Sequence, residues 1–242
     1  MNSIATELAP TGVLRVGVNL GNFLLVTGKA ANGDPEGVSP DMGRAIAERL
    51  GVDVRFVTYA SPGAVADAVA GGEWDIGNIG AEPERAQTIA FTTAYCEIEA
   101  NYLVPAGSPI RSIEEVDRPG NRIAVFGRAA YGLWLRDHIR HAELVETDGM
   151  DSAVDAFLEQ ELEVLAGLRV RLVDDVRRIP GSRILDGQFT AVQQAIGTHP
   201  DRQDAARWLQ SFVDEAIASG FVAGLIDKHG VSGRLSVAQK KA

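Results

Sequence analysis

Strand-like and helix-like patterns alternate from the first residues of this chain onward, the sequence form of βαβ units wound around a mainly parallel sheet. Val13 to Val18 reads as a first strand. A helix is expected from Ser39-Pro40-Asp41 to Leu50, with Ser39 as its cap and Pro40 as its first residue. Val52 to Tyr59 is the next strand, Ser61-Pro62 opens a helix that ends at Gly71-Gly72, and Trp74 to Ile79 is a third strand. After Tyr102-Leu103-Val104-Pro105 the pattern restarts: strand Arg122 to Phe126, helix Ala129 to Ile139, strand Glu143 to Glu146, helix Asp151 to Gln160. This restart marks a second lobe. Glu163 to Leu168 and Ile184 to Leu185 supply further short strands, and Ala191 to Ile196 can carry the chain back to the first lobe. Asp201 to Ser219 is amphipathic, with Ala205, Trp208, Leu209, Phe212, Val213 and Ala216 on one face and Gly220 as its stop. A final helix runs from Phe221 to His229, and the tail after Ser232 is expected to be disordered.

A chain of 242 residues, 45% of them hydrophobic, can bury a sizeable core, as one large α/β domain or as two lobes of about 100 residues. The net charge of −10 argues against nucleic acid or an anionic membrane as the main partner, because phosphate surfaces reward clustered Lys and Arg. A small molecule is the more plausible partner. The single cysteine, Cys96, and the absence of any Cys/His cluster point to no structural metal and no cofactor. No apolar run is long enough to span a bilayer. The opening, Met1 to Pro10, lacks a basic and an apolar region of the signal-peptide kind, so the chain as written is expected to stay in the cytoplasm, as a monomer.

The stretch from Gly71 to Tyr95 carries the strongest functional signal. Glu82 can cap a helix and Pro83 suits its first position, so Arg85 falls in the first turn, where the positive end of the dipole disfavours a cation. A cation there needs an anion nearby, either a ligand or one of Glu82, Glu84 and Asp75.

The run Trp-Asp-Ile…Glu-Pro-Glu-Arg…Ile-Ala-Phe-Thr-Thr-Ala-Tyr resembles the signature of polar-amino-acid solute-binding proteins, family 3, which serve ABC importers. The similarity spans Gly12 to Gly230. It implies a type II periplasmic-binding-protein fold of two hinged α/β lobes, with lobe 1 at residues 1–103, lobe 2 at 104–194 and a return to lobe 1 at 195–242. It also implies a periplasmic address, an ABC permease partner, and Arg85 as the clamp on a ligand carboxylate.

Ligands of open α/β sheets bind outside the carboxyl ends of strands, which directs attention to four turns. Asn19-Leu20-Gly21-Asn22-Phe23 offers two amides, a glycine and an aromatic. The resemblance places an acid and a stacking aromatic where Asn19 and Asn22 stand, and a plain reading makes both asparagines turn formers. Asn78-Ile79-Gly80-Ala81 leads to Arg85, and Gly80 can offer only a backbone N–H. Gly127-Arg128-Ala129 follows a lobe-two strand into a helix, whose N–H groups and a second guanidinium suit a second acidic group. The family pattern Gly-x-x-Asp-Ala-x-x-x-Asp aligns with Glu161 to Leu168 and puts Leu168 where the ammonium partner is expected, which disfavours a free α-amino acid. Glu163 or Asp174 could restore an acid in another register.

Tyr95, Trp74, Phe23 and Tyr131 are candidates to wall an apolar pocket, with Trp74 and Phe91 also reading as core. His138, His141, His199 and His229 read as surface histidines. The favoured expectation is a non-catalytic protein that closes two lobes on a small carboxylate-bearing metabolite, amino-acid-like or an organic acid. The alternatives are a lyase resembling cyclohexadienyl dehydratase and a cytoplasmic ligand sensor. For the lyase, the lobe-two acid is matched here by Arg171, which cannot act as a general acid at neutral pH.

Overall fold

The structure is a computed structural model that describes residues 3–239. It divides into two compact units. Unit 1 holds the residues up to Glu97 together with those from Gln193 onward, and unit 2 is Ile98–Val192.

Unit 1 begins with α1 (Ser3–Leu8), β1 (Val13–Asn19), the short strands β2 (Gly28–Lys29) and β3 (Pro35–Glu36), α2 (Val38–Leu50), β4 (Asp53–Tyr59), α3 (Pro62–Asp67), β5 (Ile76–Gly80) and β6 (Ala90–Phe91). Strand β1 lies between β4 and β5, parallel to both, with Val18 opposite Thr58 and Asn78. Being covered on both sides, it reads as an almost continuous apolar run. Trp74 explains two glycines in this sheet. Its ring lies across the backbone of neighbouring strands, so that a Cβ on Gly17 would meet the indole at 2.9 Å and one on Gly77 at 3.1 Å. Its Nε1 donates to the Val65 carbonyl at 2.9 Å, which fixes α3 over the strands. Asp75 is fully buried and is satisfied by Arg15 at 2.9 Å and Arg202 at 3.1 Å.

Two starts differ in detail from expectation. Helix α2 begins at Val38 after Gly37, whose φ of 145° brings it within 2.2 Å, measured from an added Cβ, of the Leu25 carbonyl oxygen; Ser39 makes no capping bond and is buried instead. In α3 Ser61 does cap, its Oγ accepting from Ala64 N at 3.2 Å, but regular helix ends at Asp67 rather than at the glycines.

Unit 2 comprises most of β7 (Cys96–Val104), then β8 (Arg122–Phe126), α4 (Ala130–His138), β9 (Glu143–Thr147), α5 (Met150–Glu159), β10 (Val164–Leu168), α6 (Arg169–Arg178) and β11 (Arg183–Ile184). Strand β8 is parallel to β9 on one side and to β10 on the other, and β10 pairs antiparallel with β7. The core is an aliphatic cluster around Leu103, Val154, Phe157, Leu165 and Leu172. Helix α6 has no counterpart in the sequence reading. Leu172 is buried in the unit 2 core and Val176, one turn on, packs half-buried against it, a narrow apolar stripe in a sequence, Arg-Val-Arg-Leu-Val-Asp-Asp-Val-Arg-Arg, that is otherwise mostly charged.

The chain returns to unit 1 through β12 (Thr190–Thr198), which pairs antiparallel with β5, and ends with α7 (Gln203–Ala218), α8 (Phe221–Lys228) and β13 (Ser236–Val237). The expectation of a disordered tail after Ser232 is corrected for the described part. Leu235 is 2% exposed and Val237 pairs with Cys96, because an apolar residue here completes the sheet edge; residues 240–242 lie outside the described residues. Among the described residues no single helix is long and apolar enough to cross a membrane.

Candidate functional site

In unit 1 the residues singled out by sequence gather at the carboxyl ends of β1 and β5. Asn19 Oδ1 accepts from Gly21 N at 2.9 Å, and Asn22 Oδ1 accepts from Leu24 N and Leu25 N at 3.2 Å each. Both oxygens therefore shape the turn, and what each asparagine retains to offer is its NH2 group. On the same turn Leu20 and Phe23 are exposed large apolar side chains, at 47% and 36%. An unusual apolar ledge thus stands beside the strand end.

Arg85 is 5% exposed. Its Nη1 donates to the Gly80 carbonyl at 2.8 Å, across the bend that follows β5. The expected helix is not there: Arg85–Gln87 is one turn of 3-10 helix, closed by Gln87 N to Glu84 O at 3.4 Å and Thr88 N to Arg85 O at 3.1 Å, and Glu84, not Glu82, stands at its cap position, with no side-chain capping bond. A single turn has little macrodipole. What demands an anion near Arg85 is burial of its charge, a larger effect than a helix end.

Asn78 lies two residues before Gly80 and is 2% exposed. Its register partner is Val18, so alternation puts its side chain on the face of the sheet where α2 packs, Gly43 of that helix approaching Val16. Neither atom of its amide has a hydrogen-bond partner among the described residues, and the same holds for Ser39 Oγ and Tyr95 OH. The last two lie close enough to influence each other but outside hydrogen-bond geometry; burial holds the Tyr95 phenol well above its usual range. Tyr95 and Trp74, at 0% and 3% exposed, are interior residues and wall no open pocket.

In unit 2 the candidates sit at the ends of β8 and β10. Gly127 N donates to Thr147 O at 3.0 Å, and the acidic side chain of Glu146 is laid across the glycine, its Oε2 2.6 Å from where a Cβ would stand. Glu146 is in turn gripped by Arg136, through Nε at 3.1 Å and Nη2 at 2.8 Å. Arg128 is exposed, and Ala129 stands in extended backbone as the cap residue of α4. Leu168 ends β10 at 8% exposed and precedes α6.

Glu161 has a φ of 48°, the left-handed backbone that favours glycine. Counted from that glycine-like place, the pattern Gly-x-x-Asp-Ala-x-x-x-Asp ends on Arg169, one residue beyond Leu168. The signal was available in the spacing alone. Neither acid offered for another register reaches this end: Glu163 is held by Arg122 at 2.9 Å, and Asp174 by Arg177 at 2.9 Å on the exposed side of α6. Arg171 pairs with Asp151 at 2.7 Å and Asp175 at 3.0 Å, joining α5 to α6. Tyr131 is 3% exposed, behind these charges, with its phenol raised by burial.

His229 corrects the surface reading of the four histidines. Its side chain is 11% exposed, with Nε2 2.8 Å from Asp41 Oδ2. Among the described residues no group of three or more His, Cys, Asp or Glu side chains is arranged to hold a metal ion.

Structures of similar fold include a solute receptor for L-cysteine of Neisseria gonorrhoeae, with a TM-score of 0.75 at 20% identity over 98% of this chain and 99% of that one. A mutant of the T. maritima protein ArgBP has a TM-score of 0.72 at 19% identity, covering 94% and 99%. The ancestral amino acid-binding protein AncCDT-1, a precursor of cyclohexadienyl dehydratase, has 0.71 at 20% identity, covering 93% and 99%. No curated protein sequence matches this chain. At such identities these likenesses establish the fold, a type II periplasmic-binding-protein fold. The sequence itself matches a family profile over residues 14–232, and the chain therefore belongs to the bacterial extracellular solute-binding proteins, family 3.

Proposed function

We propose that this protein captures a small carboxylate-bearing metabolite and delivers it to the permease of an ABC importer, acting as a monomer outside the cytoplasmic membrane. The observation that carries the carboxylate is Arg85, a buried guanidinium anchored on the Gly80 carbonyl at the end of a central strand. The planar fork of a guanidinium matches a carboxylate in two parallel bonds. The NH2 groups of Asn19 and Asn22, together with Phe23, complete the recognition on this unit. The buried amide of Asn78 adds a donor and an acceptor just below.

Protein purified gently from its host, then denatured and extracted, releases its ligand for identification by mass spectrometry. The reading expects an organic acid that rebinds the emptied protein, with affinity lowered about 30-fold or more in Arg85→Lys. A ligand without an acidic group refutes it.

A further inference from the structure

Strands β8 and β10 are parallel neighbours, with Ile123 opposite Val164 and Ala124 opposite Leu165. Continuing that register sets Gly127 level with Leu168 and Arg128 level with Arg169. Two arginines thus follow the carboxyl ends of adjacent strands, where ligands of such sheets bind, with the Arg169 guanidinium turned toward Glu99 and the Gly187 carbonyl. Resting on the function proposed above, we infer that Arg128 and Arg169 form a second acid-recognising site, and that the ligand is a dicarboxylate-type dianion without an ammonium group, not a zwitterionic amino acid.

The surroundings of Arg169 favour this. Its side chain is 41% exposed, and its acidic neighbour Glu99, itself 58% exposed, stands at 3.6 Å. Its bond to the Gly187 carbonyl is long, at 3.5 Å. Such loose, solvated contacts contribute little and yield readily to a ligand carboxylate in bidentate geometry. The acids close to this rim are differently placed. Glu146 is forked by Arg136, Asp151 is taken by Arg171, and Asp148, one strand further out, accepts from Ser152 Oγ at 2.8 Å. An incoming ammonium would meet Arg169 where an acid would have to stand. Charge of the wrong sign at a binding rim rejects a ligand more strongly than a merely apolar residue.

The test titrates the emptied protein by calorimetry with unbranched α,ω-dicarboxylates of three to seven carbons, their monomethyl esters, and the twenty amino acids. The inference expects at least one dicarboxylate to bind about tenfold or more tightly than its monoester. It further expects Arg169→Gln and Arg128→Gln each to weaken the diacid far more than its monoester and so to remove most of that difference. Both side chains lie on the surface rim, and melting curves confirm that the variants fold. A monoester equal to its diacid, a diacid preference untouched in Arg169→Gln, or an amino acid binding more tightly than every diacid overturns the inference. If, in that event, binding of the preferred monoacid or amino acid still depends on Arg85, the carboxylate-capture function stands without the second site. Failure of every carboxylate to bind overturns both.

Discussion

Arg85 Nη1 donates to the carbonyl of Gly80 across 2.8 Å, a bond that spans the bend after β5 and holds a buried guanidinium at the strand's end. A lysine placed here can still reach that carbonyl, yet it presents one point charge where arginine presents a fork. Arg85→Lys is therefore expected to fold like the parent and to bind the ligand about 30-fold more weakly or worse, read by calorimetry. Equal affinity would take Arg85 out of the binding site.

Asn78 separates stability from function. An amide buried without partners costs about 1–3 kcal/mol in the ligand-free protein, so Asn78→Leu, close in shape, is expected to leave melting unchanged or raise it by a few degrees. The same variant is expected to weaken ligand binding. Lowered melting with unaltered affinity would assign the amide a purely structural part.

Gly17 faces the Trp74 indole, and an added Cβ would sit 2.9 Å from the ring. Gly17→Ala is expected to destabilise by about 1–3 kcal/mol through overpacking. Trp74→Phe should relieve much of that cost, so the double variant is expected to be more stable than the sum of the single effects implies. Strict additivity in denaturant unfolding would show that the two positions do not press on each other.

Asp41 ties α2 to the end of α8 through Lys228 at 2.7 Å and His229 at 2.8 Å, with Arg44 on its other oxygen at 2.9 Å. Burial alone would raise this carboxyl, but the hydrogen bonds from Lys228, His229 and Arg44 together outweigh it and hold the group below its ordinary value. A depressed folded pKa adds stability that is present above the unfolded value, near 3.9, and is lost as pH falls through the folded value. Melting is expected to drop steeply below about pH 4, with a shallower drop in Asp41→Asn. Parallel curves would contradict the linkage.

Much of this was legible in the chain. The strands after Val13 and Arg122 announce themselves because buried parallel strands are largely apolar, the half-exposed edge strand after Val52 shows itself by alternation, and Ser61-Pro62 marks a helix start by a local bond that needs no tertiary context. Helix α6 was hidden because its core-facing stripe, Leu172 and Val176, is narrow and lies among charged residues, which reads as ordinary surface. The helix expected at Arg85 shrank to one turn because Glu82 and Pro83 permit a start but nothing downstream packs a helix: the chain enters β6 at Ala90, three residues after Gln87. Of the candidate site, Arg85 and the Gly127 turn stood out by residue type. Arg169 did not, since an arginine opening a charged helix looks like ordinary surface until β8 and β10 are seen side by side.

The account turns on which small molecule the protein carries. Mass spectrometry of the small molecule released on denaturing gently purified protein tests this most directly. A metabolite with a carboxylate, recovered unchanged after prolonged incubation and rebinding in an Arg85-dependent manner, is the predicted result. A neutral or purely cationic molecule, or one chemically converted by the protein, would contradict it.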